Sequence, residues 1–209
     1  MILKRKIYKK LLEWKKECQG KKALLIEGAR RIGKSTICEE FGKNEYKSFL
    51  LIDFAKKDKE VEGYFEKYLN DLDTFFMLLQ THFGTKLTER NSLIIFDEVQ
   101  MFPQARVAIK YLVADGRYDY IETGSLIFIR ENVKNIVIPS EERHINMYPL
   151  DFEEFAIALE EDLLVEYIKK CFEKREPLER SMHNQAMLLF HQYMLVGGMP
   201  MPVVTFIES

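Results

Sequence analysis

The stretch Ala23-Leu24-Leu25-Ile26-Glu27-Gly28-Ala29-Arg30-Arg31-Ile32-Gly33-Lys34-Ser35-Thr36 decides how this chain is read. Its opening is an apolar run of the length of a buried strand. Gly28 to Ser35 then match G-x-x-x-x-G-K-[ST] in full, and residues 34–42 read as a helix. The strand–loop–helix order gives the motif its physical meaning. The two glycines let the backbone turn and approach an anion closely. The N–H groups of the loop and of the helix start then converge on one point, where negative charge is favoured. The pattern predicts a phosphate-binding loop made of Gly28, Ala29, Arg30, Arg31, Ile32, Gly33, Lys34, Ser35 and Thr36. Lys34 is expected to reach the β- and γ-phosphates of a nucleotide, and the Ser35 hydroxyl to ligate Mg²⁺. Arg30 and Arg31 would add positive field near the ligand, face a partner, or point to solvent.

Outward from the loop, the next informative run is Leu93-Ile94-Ile95-Phe96-Asp97-Glu98. Four apolar residues ending in two acids place carboxylates at the carboxyl end of a buried strand, where open α/β sheets bind ligands. Asp97 is the expected Mg²⁺ ligand, directly or through water. Glu98 is the expected general base, orienting and deprotonating an attacking water. An acid beside the metal carboxylate suits hydrolysis, and a small-molecule kinase would not need it. The chain carries no N-K-x-D guanine-reading motif.

The rest of the chain supplies the frame. Further strands are read at 48–54, 92–97 and 118–123, with a fifth at 135–139 or 145–148. Leu3, Ile7, Leu11, Trp14 and Cys18 predict an N-terminal helix closed by Gln19-Gly20. Val61–Phe83 reads as one long helix, and Pro103 opens another through about Leu112. Strands alternating with helices, in continuous apolar runs, predict an α/β fold: a parallel sheet covered on both faces. Beyond Asp151 the strand signal stops and helices take over. The expected division is an N-terminal helix (1–20), an α/β core (21–149) and a helical extension (150–209).

Composition excludes several classes. A chain of 209 residues holds one full domain with an appendage. With 47% hydrophobic and 31% charged residues, disorder is not the main reading. A formal net charge of -2 argues against a whole-domain nucleic-acid footprint, though not against a local patch. Cys18, Cys38 and Cys171 lack CxxC or zinc spacing and predict reduced thiols in a cytoplasmic protein. The basic N-terminus lacks the apolar stretch and cleavage site of a secretory signal. No segment approaches the ~20 apolar residues of a membrane span, so no membrane partner is expected. His82, His144, His183 and His191 are scattered. His183 and His191 can share a helix face, but no Cys or Asp stands at ligand spacing. Met182, Met187, Phe190, Tyr193 and Met194 read as a core face, or else a docking surface.

The runs ALLIEGARRIGKST, SFLLIDF, SLIIFDEVQMFPQAR, IKYLVADGRYDYIETGS, MYPLDFEEFAIAL and YMLVGGMP resemble the AAA+-type P-loop ATPases of bacteria and archaea, in order and over nearly the whole chain. The resemblance implies a sheet of order 5-1-4-3-2. It also implies a polar sensor at the end of the fourth strand, touching the γ-phosphate or the attacking water. Thr123 matches that position best, then Ser125. It implies an arginine supplied by a neighbouring subunit, for which Arg106, Arg117 and Arg143 are candidates, each also readable as a salt-bridge residue. Members of the family continue into a winged-helix-like region and a nuclease-like domain, so the chain is expected to be an N-terminal portion whose C-terminal domain is missing or separate. Two other readings stay open: a nucleotide-binding switch with negligible turnover, and a DNA-associated NTPase using the basic N-terminal helix.

Overall fold

The computed structural model describes residues 2–125 and 141–209. The chain divides into two compact units, one of Tyr8–Met147 and one in which the residues up to Ile7 join Tyr148–Ser209.

The first unit is built on a five-stranded sheet: β1 (Ala23–Glu27), β2 (Ser48–Asp53), β3 (Ser92–Asp97), β4 (Asp119–Gly124) and β5 (Glu142–Asn146). The strand order is β2-β3-β4-β1-β5, the 5-1-4-3-2 arrangement, and every pairing is parallel. The register aligns Asp53 with Asp97, Phe96 with Glu122, and Ile26 with both Thr123 and Ile145. Polar strand ends therefore gather along one edge of the sheet. α1 (Ile7–Cys18) and α2 (Lys34–Glu45) are joined by aromatic packing of Tyr8 and Trp14 on Phe41. α3 (Lys59–Tyr68), α4 (Leu72–Phe83) and α5 (Pro103–Asp115) contribute to a core with Phe54, Phe96, Phe102 and Tyr120. Phe65 of α3 makes edge-to-face contacts with Phe54, Phe75, Phe96 and Phe102, the arrangement aromatic quadrupoles favour.

Four expectations are corrected. The single helix over Val61–Phe83 is two, because Asp71 starts a new one: its carboxylate accepts from the Thr74 N–H at 3.2 Å and the Thr74 hydroxyl at 2.6 Å. The N-terminal helix begins at Ile7, and Leu3 is buried in the other unit's core. The fifth strand is Glu142–Asn146, a polar edge strand that pairs on one side with β1; the alternative at 135–139 lies outside the described residues. Finally, Met182, Met187, Phe190 and Met194 are exposed, so the predicted core face reduces to Ala186 and Leu189 with Tyr193 packed against them.

The second unit is helical: α6 (Phe152–Ala158), α7 (Asp162–Lys174), α8 (Arg180–Val196) and α9 (Pro200–Glu208), around Leu150, Phe155, Leu164, Leu189 and Val203. α6 opens with a capping box: the Asp151 side chain accepts from the Glu154 N–H at 2.9 Å, and the Glu154 side chain accepts from the Asp151 N–H at 3.2 Å. α9 falls within the helical extension expected over 150–209. Pro200 at its first turn, after Gly197-Gly198, is the signal that marks it. No helix among the described residues is long and apolar enough to cross a membrane.

Candidate functional site

The loop between β1 and α2 is shaped by backbone. Gly33, just before α2, sits at φ 91°, ψ 26°, and Arg31 is also left-handed at φ 63°. A Cβ on Gly28 would lie 2.4 Å from the Met147 carbonyl oxygen and 2.7 Å from Ile32 Cδ1, so only glycine fits. Ile32 is fully buried and pins the loop, while Ala29, Arg30 and Arg31 are exposed. No side chain caps the start of α2. Its first N–H groups and its positive dipole end are thus presented to an anion.

Lys34 is 5% exposed, and its ammonium donates to the carbonyls of Gly28 (3.1 Å) and Ala29 (2.8 Å). Burial lowers its pKa, while the carboxylates of Glu98 and Asp97 pull it back up. The phosphate loop and the acidic end of β3 therefore share one electrostatic environment. Ser35 is half-buried and Thr36 exposed. Behind the loop, Cys38 is fully buried; burial and the Asp97 charge push its thiol pKa up, which keeps it unreactive.

At the end of β3, Asp97 is 7% exposed. The Thr123 hydroxyl donates to Asp97 Oδ1, and its oxygen accepts the Glu98 N–H at 3.3 Å. One hydroxyl on β4 thus holds the Asp97 carboxylate and the Glu98 backbone where β3 ends. Glu98 is left-handed (φ 55°, ψ 46°), half-buried, and accepts a hydrogen bond on Oε2 from the side-chain amide of Gln100. Ser125, two residues beyond Thr123, is buried, and its hydroxyl has no hydrogen-bond partner among the described residues.

Lys34, Asp97, Glu98 and Thr123 are brought together. The three arginines considered as partner-supplied groups are each engaged. Arg106 is 1% exposed and bonded to Glu142 at 2.6 Å; Arg117 pairs with Asp115 and Asp73; Arg143 pairs with Glu17. Burial removes Arg106 from candidacy for reaching another molecule. His82 bonds to Asp58 at 3.0 Å and His144 lies 3.2 Å from Glu142; no group of three or more His, Cys, Asp or Glu among the described residues could hold a metal.

Two features escaped the sequence reading. One is Gln100, whose signal was its place two residues after Glu98, with apolar Val99 between them. The other is a buried cluster of Glu122, Glu142 and Arg106. An acid inside a strand that otherwise runs into the core marks it.

A family model described as an AAA domain matches residues 20–156. No curated protein sequence matches the chain. Solved structures with similar folds include Hsp104, in its closed state with ATPγS and casein: 15% identity, 96% of this chain, TM-score 0.53, this chain spanning 35% of that one. The Aeropyrum pernix ORC1 protein, solved in complex with DNA, aligns at 10% identity over 92% of this chain and 67% of its own, with TM-score 0.45. Domain III of the Thermotoga maritima replication initiation protein DnaA aligns at 15% identity over 86% and 73%, with TM-score 0.42. On its family match and its parallel five-stranded sheet, the chain belongs to the AAA domain family of AAA+-type P-loop ATPases, which implies nucleotide binding.

Proposed function

We propose that this chain binds ATP with Mg²⁺ through the loop Gly28–Thr36 and hydrolyses it. What carries the reading is the joint arrangement of a backbone anion cradle, a buried lysine and two acids held by one threonine hydroxyl, Asp97 through its carboxylate and Glu98 through its backbone N–H. The residues fit the ligand pair: Gly28 admits no side chain, and Asp97 with Ser35 is a hard oxygen donor set of the kind Mg²⁺ takes. When bound, Mg²⁺ would neutralise charge on the phosphates. Lys34 exchanges its two carbonyl partners for phosphate oxygens. Thr123 spends its proton on Asp97, so its role is to hold the two acids in place, and the Ser125 hydroxyl is left to meet the γ-phosphate or the water. Glu98 orients the water and takes its proton. Without a guanine-reading motif, adenine is the expected base.

Hydrolysis on this reading drives a conformational change in an attached or partner domain. Turnover of the isolated chain is slow, because Arg106, Arg117 and Arg143 are all engaged and a neighbour must supply the missing positive charge. The same observation favours a second reading, a nucleotide-binding switch with negligible turnover. Steady-state phosphate release, with nucleotide affinity measured in parallel, separates the two. Glu98→Gln should keep ATP binding and lose about 10²–10⁴-fold in rate. Lys34→Ala should lose both. A wild type that binds ATP yet releases phosphate no faster than either variant would leave only the switch.

A further inference from the structure

β3 ends at Asp97, and Glu98 turns the chain in a left-handed conformation that is unfavourable for a residue with a side chain. Such a conformation persists only where neighbours over-determine it. Here the Glu98 N–H reaches Thr123 Oγ1, its carbonyl accepts the Met101 N–H at 2.9 Å, and the following Val99 is fully buried. The backbone of Glu98 is therefore held from three sides. Its side chain, half-buried with three rotatable torsions, needs a separate restraint. That restraint is Gln100, 4% exposed and so itself locked by packing, whose Nε2 amide donates to Glu98 Oε2.

We infer that Gln100 is the positioning residue of Glu98, holding its carboxylate in the orientation from which it accepts the proton of the attacking water. The chemistry of the contact suits this role. A lysine or arginine there would fix the carboxylate but neutralise it; an amide fixes it and leaves it a base. The amide occupies Oε2 alone, and Oε1 accepts no hydrogen bond among the described residues.

The inference rests on the hydrolysis reading above, and its test separates the two. The Gln100 side-chain amide resonance of the nucleotide-free protein should move on Glu98→Gln, a readout independent of turnover. Gln100→Met, which keeps the length and removes the donor, should lower kcat for ATP about ten- to a hundredfold with KM and ADP affinity unchanged. Gln100→Glu, which keeps the shape but exchanges the donor for an acceptor, is the second variant should the first lose its fold, and should show the same split. In a Glu98→Gln background, Gln100→Met should cost nothing further, because the two act as one unit. A wild-type or raised kcat in Gln100→Met, an additive loss in the double variant, or an unmoved amide resonance would overturn the inference alone. A wild type without turnover would overturn the hydrolysis reading and this one together.

Discussion

Glu122 shows how much a single residue can depend on its surroundings. It stands in β4, one position before Thr123, fully buried, with its Oε2 3.9 Å from the Arg106 guanidinium. Arg106 bonds instead to Glu142, which His144 also approaches. One buried cation thus faces two buried carboxylates. Burial first, and then the Glu142 charge, hold the Glu122 pKa well above the usual carboxylate range, against the pull of Arg106. The sign of the pH effect follows. With the folded pKa above the unfolded one, the stabilisation from the bound proton is complete at low pH and is lost as pH rises towards the folded value. Glu122→Gln, neutral throughout, escapes that loss. Its stability relative to wild type should climb with pH by up to about 1.4 kcal/mol per unit above the unfolded glutamate value. Denaturant unfolding across a pH series checks this, and parallel curves would refute it. Lys34, Asp97 and Glu98 were legible as residues because a motif names them. Glu122 was not, since its partners Arg106 and Glu142 come close only by folding, and Gln100 was not, since its contact with Glu98 two residues away depends on the left-handed turn of Glu98.

Elements were legible where local chemistry agreed with the fold. The apolar runs of β1 and β3 are buried strands and that of β2 an edge strand with only Leu50 and Ile52 buried, and the glycine-lysine turn precedes a helix as its motif requires. β5 was hidden because an edge strand of sequence Glu142-Arg143-His144-Ile145-Asn146 is held by backbone pairing to β1 rather than by apolar content. The break between α3 and α4 was missed because apolar periodicity continues across it while Asp71 caps the second helix. Caps of this sort have measurable weight. Asp151→Ala, which removes the oxygen accepting the Glu154 N–H, should cost about 1 kcal/mol, whereas Asp151→Asn, which keeps an acceptor, should cost a few tenths. Equal thermal melts for the two variants would mean that the capping box contributes nothing. The exposed ion pair of Asp151 with Lys6 adds little to either figure.

Across the whole molecule, each unit has buried apolar packing of its own. In the larger one, Phe65 ties α3 to the sheet and to the turn after β3 through its contacts with Phe96 and Phe102. Phe65→Ala should therefore destabilise that unit by about 3–5 kcal/mol in denaturant unfolding, the range for emptying a packed aromatic site. A loss below about 1 kcal/mol would show that the neighbouring rings refill the space.

By itself the sequence determined the class of the fold and the place of the anion cradle. Both are local: a run of apolar strand residues, a glycine at position 33 whose φ is positive, and the lysine that follows it act on neighbours a few positions away. The hydrogen bond of Thr123 to Asp97, the hold of Gln100 on Glu98 and the withdrawal of Arg106 into an ion pair were decided only by tertiary structure. Each depends on groups far apart in the chain, or turned by a strained backbone, that meet at hydrogen-bond distance only once parallel pairing has set the register.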